Sequence, residues 1–577
     1  MRVWLQDGGG WLVFSDPVRV LQAERPEEVM PLLREAEASG LWAAGFIAYE
    51  AAPGFDAALP VRPPADFPLL LLGLFREPER RAAPPAGGAW RLTSLREPPE
   101  EDFLEAVREV RRRIAAGETY QVNLTYRLAG RLEGDPAGLF LSLAGRQAGG
   151  CAVYVETERW AVCCASPELF FELAEGTVTG RPMKGTAPRG ATPEEDARRA
   201  AGLRASAKER AENVMIVDMM RNDIGRIARP GSVETVSLFD LERYPTVWQM
   251  TSTVRGRTEA TVSEVLRALF PCASVTGAPK RRTMHIIREL ETSPRKVYTG
   301  AAGWFAPGGR RARFSVAIRT ALVERPTGRL EFGVGGGIVW DSDPRREWEE
   351  TRVKARVLFS AANFRLLETL RWSPEEGFAL LERHLRRMER SARRFGFAFR
   401  EAAVRAALEE AARGFAPRPH RVRLLADRRG AVEVEAAPLE GEKKVWRVAL
   451  AARPVDSGEI FLRHKTTRRE VYEAARAEMP AGCDEVILWN ERGEVTEGTI
   501  ANVAVRWKGR WLTPPVSCGL LPGTMREALL EEGKIEEGVV SLEMFEAAEA
   551  VALFNSVRGW MEAERVPRPP PGGPSAR

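Results

Sequence analysis

Short runs of alternating apolar and polar residues recur along the first 340 positions, and few are separated by the helical crossover that a parallel sheet needs. "TYQVNLTYRLAGRL", "CAVYVETERWAVCCA" and "ELFFELAEGTVTG" follow one another in this way, and further strands are expected near 298–306, 313–323 and 330–340. Helical spacing is confined to a few stretches. Phe103, Val107, Val110 and Ile114 repeat before Gly117, residues 204–228 are helix-like up to Pro230–Gly231, and another helix is expected from about 344 to 362. Residues 1–75 read as short alternating runs and 76–100 as a Pro- and Arg-rich connection. This order points to an α+β chain with large antiparallel sheets. At 577 residues it also needs more than one core.

The charge balance excludes several classes. Lys and Arg number 85 against 80 Asp and Glu, interspersed, which gives no nucleic-acid tract and no polybasic membrane anchor. The opening "MRVWLQDGGGWLVF" lacks a signal peptide's pattern, and "FPLLLLGLF" at 67–75 is too short to span a bilayer. Six cysteines without CxxC pairing read as reduced, mostly buried thiols of a cytoplasmic protein. Only four histidines are present, so any ionic metal chemistry has to rest on carboxylates.

Two features carry chemistry. Lys184 lies in "TVTGRPMKGTAPRG", where glycines and prolines deny the backbone a helix or a central strand, with Arg181, Arg189 and Arg198 nearby. On residue type and loop context alone it reads as a solvated loop cation. Glu209 and Glu212, and separately Glu347 and Glu350, stand three apart on helices and so share a face. They could converge on Mg²⁺, a hard cation that takes carboxylate oxygens. Equally, Lys208–Glu212 and Glu350–Lys354 are the i,i+4 pairs of an ordinary solvated helix. The glycines of "EFGVGGGIVW" lack a dinucleotide fingerprint and suit close approach of a backbone to an anion.

Eight segments in order resemble the chorismate-utilising enzymes, the family of anthranilate synthase large subunits, aminodeoxychorismate synthases and isochorismate synthases. They are "YQVNLT", "ASPELFFE", "GRPMKGTAPRG", "AENVMIVDMMRNDIGR", "SVTGAPKRRTMHIIRELE", "YTGAAGWF", "FSVAIRT" and "GGGIVWDSDPRREWEETRVKA", covering about 120–356. The resemblance implies Mg²⁺ at Glu212 and Glu350, with Glu209 and Glu347 in support. It implies that Lys184, where anthranilate synthases carry alanine, is a nucleophile toward C2 of chorismate, so that ammonia enters at C4. Desolvation or the neighbouring arginines would lower its pKa. Gln121 stands where isochorismate synthases activate water with a lysine, and a neutral amide is no base. Glu168 matches the acid beside the leaving hydroxyl. Tyr298, Arg319, Lys354, Gly335 and Gly336 match groups that hold the substrate's carboxylates, and Ser274 replaces a frequent threonine. Asn213 and Gln249 depart from family histidines.

Residues 363–563 resemble the fold-type IV pyridoxal-phosphate enzymes, through "LLETLRW", "ERHLRRMERSA", "RHKTTRREVY", "EVILWNERGEVTEGTIANV", "GLLPGTMREALL" and "LFNSVRG". By that match Lys465 forms the Schiff base, Glu497 meets the pyridine nitrogen, and Arg387, Thr524, Met525 and Ser556 hold the phosphate of pyridoxal 5'-phosphate. Arg468 stands where relatives often have asparagine. The expected organisation is 1–358, an anthranilate-synthase-like large-subunit fold, 359–565, a fold-type IV unit like aminodeoxychorismate lyase, and a disordered tail at 566–577. The fusion implies p-aminobenzoate synthesis, with C4 amination followed by loss of pyruvate. The rivals are an anthranilate-type synthase fused to an aminotransferase-like unit, and a regulatory, non-catalytic subunit. No glutaminase elbow is present, so ammonia is expected from a separate glutamine amidotransferase subunit. A homodimer through the C-terminal unit is also expected.

Overall fold

The computed structural model describes residues 1–145, 150–189, 193–244, 247–361, 364–439, 441, 443 and 445–566. It divides into two compact units, Met1–Leu92 with Pro98–Ala361, and Thr93–Glu97 with Ala362–Arg577. The tail beyond residue 566 lies outside the described residues.

The first unit is built on two ten-stranded sheets, in which every described pairing is antiparallel. One runs Gly277–Ala278, Gln121–Gly134, Arg329–Ile338, Thr320–Glu324, Trp160–Ser166, Cys151–Glu156, Arg2–Asp7, Gly10–Phe14, Glu79–Arg81, with the strand that starts at Trp90 as the tenth, against Gln121–Gly134. The other runs Met183–Pro188, Val247–Arg257, Thr177–Arg181, Leu169–Ala174, Ala312–Val316, Ala301–Phe305, Trp42–Ile47, Leu70–Phe75, Arg19–Ala23, with Glu234–Arg243 as the tenth, against Val247–Arg257.

The strand Leu70–Phe75 shows why its sequence is apolar without alternation. Leu71 and Phe75 enter a core shared with Val3, Phe14, Val155 and Val162 of the opposite sheet, whereas Leu70, Leu72 and Leu74 face a core shared with helices Pro26–Ala38 and Val262–Leu269. A strand covered on both faces needs apolar side chains at every position, each stabilising by about 1.5–3 kcal/mol on burial. The outer face of the first sheet is closed by helices Glu100–Ala115, Lys280–Leu290 and Pro344–Ala361, through Phe103, Val107, Ile286 and Trp348.

Four local expectations are corrected. The stretch 1–75 contains the helix Pro26–Ala38, whose Val29, Leu33 and Ala36 are buried at helical spacing around an internal Pro31. The 76–100 connection forms strands at Glu79–Arg81 and Trp90–Arg96. The helix expected over 204–228 starts later, at Ala207, and runs to Gly225, because Ser206 caps it by accepting from the Glu209 N–H and so separates it from the preceding helix Pro193–Ala205. Lys184 lies on a strand, Met183–Pro188, at the end of its sheet. An edge position tolerates the prolines, and the pairing with Val247–Arg257 slips between Met183 and Thr186, where Gly185 takes φ +103°.

The second unit has a four-stranded antiparallel sheet around Leu366–Ser373 and His420–Ala426, and an eight-stranded mixed sheet that includes Glu485–Trp489, Val495–Gly498, Asn502–Trp507 and Arg510–Thr513. All six cysteines are free and buried. Among the described residues no helix is long and apolar enough to cross a membrane.

Five residues from the early connection belong to this second unit. The Leu95 N–H donates to Glu459 at 2.9 Å, and the buried Glu97 accepts from the buried Arg394 at 2.8 Å. Removing one partner of a buried ion pair leaves the other charge uncompensated, at a cost of about 3–5 kcal/mol. Glu97→Ala is therefore expected to lower the melting temperature of the second unit by calorimetry, and a fragment starting at residue 362 to be less stable than the same unit in the whole chain.

Candidate active sites

In the first unit the Lys184 side chain reaches inward from its edge strand to Glu212, with Nζ to Oε2 2.9 Å. Glu212 is buried one helical turn after Glu209 on Ala207–Gly225, and Glu347 and Glu350 project from Pro344–Ala361. The structure brings all four glutamates into electrostatic range of this lysine or of one another. Burial alone would lower the Lys184 pKa, but the charges of Glu212, Glu350 and Glu347 outweigh it and hold the amine above its ordinary value. The expectation of a pKa lowered by neighbouring arginines is corrected. Arg181 pairs with Glu242, Arg189 with Asp196, and Arg198 is exposed. Burial raises Glu209 and Glu347, while Lys354, 2.8 Å from Glu350, holds Glu350 low.

The glycines of "GVGGGI" take up distinct places. Gly335 O accepts from Lys354 at 2.9 Å. A Cβ on Gly336 would lie 3.4 Å from Glu347 Oε2, and one on Gly337 would lie 2.5 Å from Lys184 Nζ and 3.1 Å from the Gln121 amide nitrogen. Gly337 thus leaves the space in which lysine and amide meet. Both polar atoms of the Gln121 amide are buried without a hydrogen-bond partner.

Glu168 is 3% exposed, and burial pushes it up to about 7 against the opposing pull of the Ser274 hydroxyl, the Met183 N–H and the Lys184 charge. Ser274 donates to Glu168 at 2.7 Å, so it touches the acid as well as bordering the site. Arg319 is half-buried with φ +49°, a strained value for a non-glycine residue, and burial lowers its pKa. Tyr298 packs its ring below Arg127 and against Gly333, away from the contacts around Lys184.

The two departures from family histidines both hold the lysine strand. Asn213 donates to Lys184 O at 3.2 Å and accepts from Ser252 at 2.6 Å, and Gln249 donates to Gly185 O at 2.8 Å. The sequence carried no signal for these bonds, because they depend on which strand lies beside the helix.

Four converging carboxylates are an oxygen donor set that fits a hard divalent cation such as Mg²⁺, with the bare Gly336 backbone beside them. Lysines now pair with Glu212 and Glu350, and among the described residues no three acidic, His or Cys side chains are drawn to ligating distance.

In the second unit Lys465 precedes the helix Glu470–Ala477, and burial together with Arg387 and Arg469 lowers its pKa to about 8. Glu497, on Val495–Gly498, is 4% exposed and pushed up to about 7 by burial. It accepts from Tyr472 Oη at 2.8 Å, from Leu521 N at 2.9 Å and from Asn502 Nδ2 at 3.2 Å.

Arg387 is tied down by a residue that sequence reasoning missed. Buried Glu368 accepts from Arg387 Nε at 2.9 Å and Nη2 at 2.5 Å, and pairs with His384 Nδ1 at 2.7 Å. His384 Nε2 lies 3.2 Å from the Thr524 hydroxyl, and Arg387 Nη1 donates to Pro522 O at 3.2 Å. Thr524 and Met525 open the helix Thr524–Glu531, whose free N–H groups suit an anion. Ser556 donates to Thr369 O at 3.2 Å. Arg468 turns to Glu470 and the Phe461 ring, and it is Arg469 whose charge acts on Lys465. A low-pKa amine, a buried carboxylate and a helix N-terminus beside an arginine fit the aldehyde, ring nitrogen and phosphate of pyridoxal phosphate.

Residues 11–360 match the family model of chorismate binding enzymes, and residues 365–566 match that of class IV aminotransferases. An aminodeoxychorismate synthase of Streptomyces pristinaespiralis is 44% identical over 264 residues, 45% of this chain and 36% of that protein. Anthranilate synthase component 1 of Aquifex aeolicus is 39% identical over 264 residues, 45% of this chain and 53% of that protein. The match thus spans from about a third to about half of these curated relatives' length. The solved anthranilate synthase component I of Streptococcus pneumoniae covers 60% of this chain and 91% of its own, at 25% identity and a TM-score of 0.53. The fold is therefore anthranilate-synthase-like, followed by a class IV aminotransferase-like domain. Matched by the first model over more than half of its length, the chain belongs to the chorismate binding enzyme family.

Proposed function

We propose that the chain makes p-aminobenzoate from chorismate in two steps, C4 amination in the first unit and loss of pyruvate in the second. The observation that carries this reading is the Lys184 amine enclosed by Glu212, Glu347, Glu350, Gly337 and Gln121. Anthranilate synthases, equally similar in overall sequence, have alanine in its place. Lys184 adds to C2 of chorismate while the C4 hydroxyl departs, with Glu168 giving the proton that makes it water. Ammonia then bonds to C4 as the C2 bond to Lys184 breaks, and the product is 4-amino-4-deoxychorismate. A primary amine attacks only without its proton, and pairing with Glu212 keeps Lys184 charged until that carboxylate is otherwise engaged. Glu209, Glu212, Glu347 and Glu350 would hold Mg²⁺, which would supply the positive charge that lysines provide to Glu212 and Glu350 here and a Lewis acid for a substrate carboxylate. Arg319, Lys354 and the Gly335–Gly336 backbone orient the substrate. Ammonia comes from a separate glutamine amidotransferase subunit or from solution.

In the second unit Arg387, Thr524, Met525, Ser556 and Glu497 would hold pyridoxal phosphate beside the Lys465 amine. When bound, the cofactor supplies an electron sink at the substrate's C4 carbon. Lys465, with a pKa near 8, accepts the C4 proton, and pyruvate leaves as the ring becomes aromatic. Two active units on one chain raise the local concentration of the intermediate.

Purified chain given chorismate, Mg²⁺ and an ammonium salt is expected to form p-aminobenzoate and pyruvate when pyridoxal phosphate is added, and 4-amino-4-deoxychorismate without it. Lys184→Ala should bring both products to background, measured by liquid chromatography. Anthranilate as product would overturn the reading of the first unit.

Glu168 must carry a proton to act as an acid, and burial holds it near 7. Lys184 has to lose a proton while Glu168 keeps one, so at a fixed concentration of free ammonia amination is expected to rise with pH up to about 7 and to level off above it. Glu168→Gln should slow the reaction roughly a hundredfold and abolish this break in the profile.

A further inference from the structure

Tyr472 has no assigned part in either step, yet it joins three elements of the second unit at one buried carboxylate. Its hydroxyl donates to Glu497 Oε1 at 2.8 Å, and the residue is 8% exposed. The Arg469 guanidinium lies 4.6 Å above its ring and is held by a 2.6 Å bond to Thr499 O. Tyr472 lies on the helix Glu470–Ala477, seven residues after Lys465, so one short segment supplies both the amine and the phenol. Every described partner of Glu497 is a donor: the phenol, the Leu521 N–H and the Asn502 amide. A carboxylate surrounded by donors is stabilised as an anion, which opposes the effect of its burial.

We propose that Tyr472 is a positioning residue for Glu497, whose hydroxyl keeps that carboxylate ionised and aimed, so that the ring nitrogen of the bound pyridoxal cofactor stays protonated. This rests on the reading of the second unit as a pyridoxal-phosphate unit. The charged groups that act on the pair are Lys465 and Arg469, and Glu459 acts on the phenol. Both cations favour ionised Glu497, and the phenol itself is held far above its usual range by burial, so it remains a donor throughout.

The experiment is a pH titration of the visible absorption band of pyridoxal phosphate bound to the whole chain. Without the phenol donor, Glu497 retains its proton to higher pH and the ring nitrogen loses its own. The ring then withdraws electrons less, and the nitrogen joining Lys465 to the cofactor becomes more basic. Tyr472→Phe is therefore expected to raise the midpoint by about one pH unit, the size of one hydrogen bond to a charged group. Glu497→Gln should raise it further, and Tyr472→Phe should add nothing in that background, since the two act as a unit. Asn502→Leu, which removes the longer bond, should shift it in the same direction by less. An unchanged midpoint in Tyr472→Phe, or an equal shift with and without Glu497, would overturn the proposal. Absence of the band from the wild-type chain, or its persistence in Lys465→Ala, would instead overturn the reading of the unit on which the proposal depends.

Discussion

Burying an ammonium among carboxylates governs the first unit. Charges removed from water must be paired, and a site with four glutamates cannot be left with negative charge alone. Lys184 meets that requirement by reaching inward from an edge strand to Glu212, and Lys354 pairs with the more exposed Glu350. The surrounding structure is arranged to let the lysine reach. Gly337 removes the side chain that would collide with its tip, Gly185 lets the strand slip beside Glu209, and the edge position accommodates the flanking prolines. The sandwich of two sheets supplies the rigidity, and the helices over its outer faces carry the glutamates.

The two central lysines show how environment, not residue type, sets an amine's chemistry. Both lose solvation. Lys184 faces carboxylates and is held above its ordinary pKa, whereas Lys465 faces Arg387 and Arg469 and falls to about 8. The first is the charge partner of Glu212 and stays protonated while that pair holds. The second already has an appreciable fraction of free amine at neutral pH, which suits bond formation with an aldehyde and proton transfer at carbon.

The strands, the long helices and the ordered motifs were legible because periodicity and local chemistry record them directly. Glu209 with Glu212, and Glu347 with Glu350, were visible as faces of helices, since a spacing of three is a geometric statement. Partners separated by a long stretch of chain were not. Nothing in "LLETLRW" signals that Glu368 will clamp Arg387, nor does "RREVY" signal that Tyr472 will meet Glu497, because neither pair shares an element. The helix Pro26–Ala38 was hidden by its internal proline, and the five residues Thr93–Glu97 looked like linker because their partners, Arg394 and Glu459, are hundreds of positions away. The sign of the Lys184 shift was misread for the same reason. Arginines near in sequence were counted as neighbours, although the sheet directs them to Glu242 and Asp196.

Asn213 and Gln249 bear on whether the first unit is a working site or a decayed one. Loss of two family histidines taken alone would suit decay. In a site drifting without function, replacements at such positions have no reason to acquire specific partners. Here Asn213 bonds to the carbonyl of Lys184 itself and Gln249 to that of Gly185, the next residue. Ser252 in turn orients the Asn213 amide, so that its nitrogen points to the lysine strand. Each amide donates to a backbone carbonyl of the strand that carries Lys184, and a neutral amide donates over the whole pH range in which an imidazole would change its charge. These two bonds hold the backbone that carries Lys184, while burial holds the neighbouring Glu168 near 7.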